Sequence, residues 1–348
     1  MTSSTKTHRR FVLSERPVGE PTLDTLRLES VPVPSLGEGE ILLRTEYLSL
    51  DPYMRGRMSD EPSYAPPVAL GSVMVGGTVA RVEESRLEGF EVGEWVLSSN
   101  GWQDYSVSDG TGVIRLGSNP EHPSWALGVL GMPGFTAWAG LIEIGKPSPG
   151  ETLVVAAATG PVGATVGQIG KILGCRVVGV AGGAEKCTHA VETLGFDACL
   201  DHKSEGFGED LVKATPDGID VYFENVGGKV FDAVLGQLNP AARVPLCGLV
   251  SQYNAKSLPD GPDRMGWLMG QLLRKRIRLH GFIIFEDFGH LYPEFAGQMT
   301  DWVESGKIQY REEVIDGLEK APEAFIGLLR GESFGKRVIR VRDEVQGG

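Results

Sequence analysis

The chain predicts an α/β fold, a β-rich domain joined to a doubly wound parallel sheet. Two observations carry this. Residues 8 to about 128 hold alternating runs such as EILLRTEYLSL, GGTVARVEES and EWVLSS, broken by Pro and Gly turns, with no long amphipathic helix. From about Met132 short apolar strands alternate with helical stretches instead. The expected division is residues 1–130 with 316–348 for the β-rich domain and 131–315 for the parallel sheet.

Composition sets the outer bounds. A length of 348 residues suffices for two domains, and 41% hydrophobic with 23% charged content is ordinary for a soluble enzyme. The net charge of −13 argues against nucleic acid or an anionic membrane as partner, and the short basic stretches Arg9-Arg10 and Arg274 to Arg278 do not overturn that. The N-terminus has no apolar leader and no run approaches ~18 apolar residues, so a cytoplasmic protein is expected. The four cysteines, Cys175, Cys187, Cys199 and Cys247, form no C-x-x-C pair and have no His at metal spacing. They read as reduced thiols, with no metal site.

Within the first region, SDEPSYAPPVAL reads as a surface loop of the kind that covers a site. The second region opens with ETLVVAAATGPVGATVGQIGKILGCRVVGVAG. Thr152 to Ala158 is a buried strand, Gly160 and Gly163 follow at once, and Val162, Val166, Ile169 and Leu173 recur at helical spacing before a second strand begins. This is a βαβ unit with an A-x-x-G-x-x-G turn, in which Gly160, Pro161, Val162 and Gly163 lend backbone N–H groups and clearance to a pyrophosphate at a helix N-terminus. The strands ACLDH, IDVYFENVGG, ARVPLCGLV and IRLHGFIIF follow, separated by helical stretches such as KVFDAVLGQL and RMGWLMGQLL. A long helix from Gly289 to Ser305 and another from Ala321 to Leu329 come next, and KRVIRVRD returns as a strand to the first domain.

The end of the second strand selects between nicotinamide cofactors. An NAD enzyme places Asp or Glu there to hold the ribose 2′-hydroxyl. This chain has Ala181, Gly182 and Gly183, then Lys186 within one helical turn, which favours NADPH. The plain alternative is that Lys186 is a solvated lysine beside Glu185. Asn225 lies just past the carboxyl end of a strand, where open sheets bind ligands; a turn former is the competing reading.

Six blocks in order resemble the zinc-independent medium-chain reductases of the leukotriene B4 dehydrogenase/prostaglandin reductase type, and among them the bacterial NADPH-dependent curcumin reductases. They are YLSLDPYMRGRM (Tyr47 to Met58), GMPGFTAWAGL (Gly131 to Leu141), the glycine turn, ENVGGKVFD (Glu224 to Asp232), CGLVSQYNA (Cys247 to Ala255) and FIGLLRGESFGKRVIRV (Phe325 to Val341). The resemblance implies a GroES-like β-rich catalytic domain, a Rossmann domain for NADPH, and a homodimer. The implied reaction is hydride transfer to the β-carbon of an enone, 2-alkenal or curcumin-like dienone. Where zinc relatives carry G-H-E, this chain has ALGSVMVGG.

Such a step leaves negative charge on the carbonyl oxygen, and without a metal a hydrogen-bond donor must already be aimed at it. A neutral tyrosine suits. By resemblance Tyr253 and Tyr53 face the nicotinamide and the substrate carbonyl, and Tyr64 in the loop contacts substrate; a packing aromatic is the competing reading for each. The same resemblance assigns Met132 and Thr136, the stretch Cys247, Gly248, Leu249, Ser251 and Tyr253, and Phe282, Ile283 and Ile284 to the nicotinamide end. It assigns Ser333 and Gly335 to a loop over the cofactor. Two departures stand out: His202 replaces a tyrosine near the 2′-phosphate, and Ser333 an asparagine. A histidine gaining charge near pH ~6.5 can still donate to a phosphate. A quinone reductase of the same superfamily, or an NADPH-binding redox sensor without turnover, are the alternatives.

Overall fold

The computed structural model describes residues 6–257 and 261–341. The outermost residues of the expected first domain, including the last two of KRVIRVRD, lie outside the described residues. The chain divides into two compact units, one running through Leu127 and resuming at Glu312, the other spanning Gly128–Arg311.

Through Leu127 the first unit contributes β1 (Thr7–Leu13), β2 (Leu26–Pro32), β3 (Ile41–Ser49), β4 (Thr78–Ser85), β5 (Trp95–Ser98), β6 (Tyr105–Ser108) and β7 (Ile114–Gly117), with the short helix α1 (Tyr53–Arg57) between β3 and β4. In the second unit come α2 (Met132–Ala139), β8 (Thr152–Ala156), α3 (Pro161–Ile172), β9 (Arg176–Ala181), α4 (Ala184–Glu192), β10 (Ala198–Asp201) and α5 (Phe207–Ala214). They are followed by β11 (Ile219–Phe223), α6 (Gly228–Gln237), β12 (Leu238–Leu246), α7 (Met265–Lys275), β13 (Arg278–Gly281), α8 (Ile284–Phe288) and α9 (Tyr292–Glu304). The first unit then resumes with β14 (Glu312–Asp316), α10 (Ala321–Leu329) and β15 (Lys336–Arg340).

The six strands of the second unit form one parallel sheet in the order β10-β9-β8-β11-β12-β13. The strand order reverses beside β8, and this crevice at the carboxyl ends is where such sheets bind nucleotides. Helices cover both faces, so the central strands are apolar throughout rather than alternating. Leu153, Val154, Val155 and Ala156 are fully buried, as are Val177, Val178 and Val221. Each such Val or Leu contributes ~1.5–3 kcal/mol of burial.

The first unit is mainly antiparallel. Its seven-stranded sheet runs β14-β15-β3-β4-β5-β7, with β6 on β3, and β1 pairs with β2 separately. The returning strand β15 lies between β14, to which it is parallel, and β3, to which it is antiparallel with Ile339 opposite Leu48. Phe11, Leu48, Met54, Trp102, Phe325 and Ile339 fill one core, with the Trp102 ring edge-on to both Phe11 and Phe325.

The expected strand IRLHGFIIF stops early, at Gly281, and Ile284 begins a helix. The cause is local. The Asp287 carboxylate accepts the Ile283 N–H at 2.7 Å, and Asp287 N–H donates to the Ile283 carbonyl at 2.9 Å, closing a helical turn. The expected helix from Gly289 starts regularly only at Tyr292, after a tighter turn at Gly289–Leu291.

Candidate active site

In the second unit, β8 delivers the chain to Ala157, which adopts a left-handed φ of 53°. A non-glycine residue there carries ~1–2 kcal/mol of backbone strain, which marks the turn as constrained. Gly160 follows in extended conformation as N-cap of α3, with Pro161 at the first helical position and, among the described residues, no side chain capping the helix end. The two glycines are glycine for different reasons. A Cβ on Gly163 would meet the Ala157 carbonyl oxygen at 2.2 Å, so the protein itself demands glycine there. A Cβ on Gly160 would meet only that oxygen, at 3.4 Å, an ordinary contact. Nothing in the described structure forbids a side chain at Gly160, so the space is suited to a ligand.

At the end of β9, Gly182 lies under two basic side chains. A Cβ there would be 3.1 Å from His202 Nε2 and 3.3 Å from Lys203 Cε. Among the described residues the buried His202 Nδ1 has no hydrogen-bond partner. Burial, then the charge of Lys229, lowers the His202 pKa below its ordinary value. Burial disfavours the charged form of this imidazole, and Lys229 and Lys203 add to that while Asp201 opposes it. Lys186 is half-buried in the first turn of α4. Lys203 and Lys229 were not singled out from the sequence. The one signal is Lys203 next to His202; Lys229 lies beyond α5 and β11, at the start of α6. Asp201 pairs with Ala181 across the strands, but its carboxylate is engaged by the backbone N–H groups of Lys203 and Gly183.

Glu224 is fully buried just beyond β11, and its Oε1 accepts from Val226 N–H at 2.6 Å and Gly227 N–H at 2.9 Å. Its own carbonyl accepts from Cys247 and Gly248 N–H. The Asn225 amide donates to the Ala156 carbonyl at 2.9 Å, stapling the end of β11 to the end of β8 beside the glycine turn. Ser251 Oγ donates to the Val226 carbonyl. Tyr253 closes the short turn Val250–Gln252, and its hydroxyl reaches over Gly248, 3.1 Å from where a Cβ would stand. Asn225, Cys247, Gly248, Ser251 and Tyr253 are thus brought into one cluster. Burial pushes the Cys247 thiol up to about 12, so it remains protonated.

Other expected residues serve the packing of this unit visibly. Thr136 Oγ1 donates back to the Met132 carbonyl at 2.8 Å within α2. The Phe282 ring is buried edge-on to Phe223 and lies against Gly140, and Ile284 is also buried; Ile283 is half-buried. Leu249 is 39% exposed.

In the first unit, Tyr53 is the first residue of α1. Burial foremost, with help from Asp51 and Tyr64, raises its pKa well above the ordinary phenol value. It is a neutral donor throughout the physiological range. Tyr64 stands near it but is 53% exposed. Its loop is held at the base, where Arg57 donates to the Pro66 carbonyl and Arg16 to the carbonyls of Met58 and Val68. Ser333 is half-buried, and Gly335, with φ 89°, turns the chain into β15.

Comparison with known proteins decides the family. The chain is 65% identical over 334 residues to an "NADPH-dependent curcumin reductase" of Escherichia coli (strain K12), covering 96% of this chain and 97% of that protein. It is 41% identical to "Prostaglandin reductase 1" of Oryctolagus cuniculus, covering 94% and 92%. The chain belongs to the medium-chain reductases of the prostaglandin reductase type. Family models describe residues 9–116 as "N-terminal domain of oxidoreductase" and 161–305 as "Zinc-binding dehydrogenase". Among the described residues, no three His, Cys, Asp or Glu are grouped so as to hold a metal ion. A solved structure of CurA from Vibrio vulnificus in complex with NADPH superimposes on the reductase with a TM-score of 0.94 at 62% identity, covering 97% of this chain and 100% of that one.

Glu224 yields a test of how this site is built. Burial raises its pKa more than the Val226 and Gly227 N–H groups lower it. Its contribution to stability is therefore complete below the unfolded-state pKa and is lost as pH rises through the folded-state value. Glu224→Gln keeps an oxygen for both N–H groups and cannot ionise. Its thermal midpoint is expected to exceed that of the wild type by ~2–4 °C more at pH ~8 than at pH ~5, the scale of about 1 kcal/mol. Calorimetry giving equal shifts at both pH values would show that Glu224 is not strained by ionisation.

Proposed function

We propose that this reductase uses NADPH to saturate the carbon–carbon double bond of α,β-unsaturated ketones and aldehydes, with aryl enones, 2-alkenals and curcumin-like dienones as the substrate class. The observation that carries the reading is the 65% identity over nearly the whole chain to an NADPH-dependent curcumin reductase. The site supports it. The open space at Gly160 and the uncapped start of α3 suit a pyrophosphate. Lys203, Lys229 and the orphaned His202 nitrogen, with Lys186 in the neighbouring helix, suit a 2′-phosphate.

When bound, NADPH supplies the hydride that adds to the β-carbon. The protein's part is to hold the carbonyl oxygen as it becomes an enolate. A neutral tyrosine does this by donating a hydrogen bond that strengthens as charge develops. Tyr253 is the principal donor, Tyr53 the second, and Tyr64 on its exposed loop packs against the substrate. The Asn225–Gly228 segment and the Cys247–Gly248 backbone give the nicotinamide end a rigid wall, held by the Glu224 hydrogen bonds.

A cytoplasmic homodimer completes the reading. No described helix is long and apolar enough to cross a membrane. Strand β13 ends the parallel sheet with its residues exposed, and Met265, Trp267, Met269 and Leu273 of the preceding helix α7 are exposed as well. An open strand edge with neighbouring apolar residues suits a second copy of the chain.

One panel tests the activity: NADPH oxidation with 2-alkenals, aryl enones, curcumin and quinones, with products identified by mass. The expected product is the ketone or aldehyde heavier by two hydrogens. Turnover of quinones alone, with semiquinone visible by EPR, would reject the reading. In the same assay Lys186→Ala and Lys203→Ala are each expected to weaken NADPH ~10-fold or more while leaving NADH nearly unchanged, the scale of a lost charge-assisted hydrogen bond. Equal loss for both cofactors would remove these lysines from the 2′-phosphate site.

A further inference from the structure

Lys336 is 1% exposed and Asp51 5% exposed, yet both are charged residues in the core of the first unit. The Lys336 ammonium meets the Asp51 carboxylate at 2.5 Å and donates to the Leu50 carbonyl at 3.1 Å. The Ser49 hydroxyl bonds the other Asp51 oxygen. The two partners are 285 residues apart in the chain. A buried pair contributes little net stability compared with apolar packing, so its retention calls for another reason.

Its position supplies one. Asp51 immediately precedes the Pro52–Tyr53 step, and its carbonyl accepts the Met54 N–H that starts α1. Lys336 grips both the side chain of Asp51 and the backbone of Leu50. The turn that aims Tyr53 is therefore clamped from the returning strand β15. Leu50 N–H also donates to the Arg337 carbonyl, a second tie from the same strand.

We propose that Lys336 and Asp51 are positioning residues for Tyr53, holding the first turn of α1 so that the phenol meets the substrate in a fixed orientation. The inference rests on the reading of Tyr53 as a donor to the substrate carbonyl. A misplacement of ~1 Å in a positioned group can cost up to ~10²-fold in rate, so a clamp of this kind belongs to turnover rather than to NADPH affinity.

The test is a double-mutant cycle between Lys336→Met and Tyr53→Phe, read as kcat and as KM for NADPH. Lys336→Met is expected to lower kcat about tenfold, leave KM for NADPH within about twofold, and have no further effect once Tyr53 is phenylalanine. Because removing one partner leaves the other buried and unpaired, Asp51→Asn/Lys336→Met serves as the neutral, folded counterpart, with the same kcat loss expected. Hydrogen exchange supplies a readout independent of turnover: the Met54 and Arg55 amides lose protection in the double variant while β3 and β15 keep theirs. A Lys336 effect of equal size with Tyr53 and with Phe at that position overturns the proposal, as does wild-type kcat in the folded double variant. If Tyr53→Phe alone is silent, the assignment of Tyr53 fails first, and the proposal falls with it.

Discussion

The Tyr253→Phe enzyme is expected to turn over enones ~10²-fold or more slowly, the usual scale for losing one preorganised oxyanion donor. The cost should fall on kcat, because the hydrogen bond strengthens only as the carbonyl oxygen gains charge. NADPH binding should survive. The backbone around Tyr253 is held by Ser251 N–H and Oγ on Val226 and by Val250 N–H on Asn225, none of which involves the phenol. Steady-state kinetics with one aryl enone, alongside an NADPH titration, suffices. An unchanged kcat with intact NADPH binding would assign the principal donor elsewhere, with Tyr53 next.

Gly160→Ala is expected to weaken NADPH on the order of tenfold, about 1.4 kcal/mol, without loss of thermal stability. Among the described residues the added methyl meets the Ala157 oxygen alone, at 3.4 Å, and Gly160 has an ordinary extended backbone that alanine adopts freely. Gly163→Ala is the contrasting variant. Its methyl would lie 2.2 Å from the Ala157 carbonyl oxygen and 2.8 Å from its carbon, both backbone atoms that cannot turn aside. Overpacking of this kind costs ~1–3 kcal/mol, so its melting point should fall. Fluorescence titration and calorimetry on both variants separate the roles. A Gly160→Ala protein that binds NADPH as the wild type does would move the pyrophosphate away from this turn.

Local patterns made much of the fold legible. The strand–turn–helix of residues 152–172 could be read because a parallel strand is apolar throughout and a glycine must stand where backbones approach. The run FIIF after β13 shows where the same signal fails. Four apolar residues suit a strand or a buried helix, and only the Asp287 contact to Ile283 decides for the helix. Asn225 shows the limit at a site residue. Its place beyond a strand points to a ligand, but the partner its amide takes, the Ala156 carbonyl 69 residues away, is set by the fold.

What the sequence determined by itself was chemistry that lives within a few consecutive residues: the glycine turn, the absence of an acid after β9, and six ordered blocks that place the chain in its family. Hydrophobic period and turn geometry act over that range, so they can be read from order alone. The tertiary structure decided the groups whose partners are remote in the chain. Lys203 and Lys229 converge near His202, Glu224 is stranded in the core, and Lys336 reaches Asp51 across the sheet. The physical reason is that a charge acquires its pKa and its role from what burial places beside it.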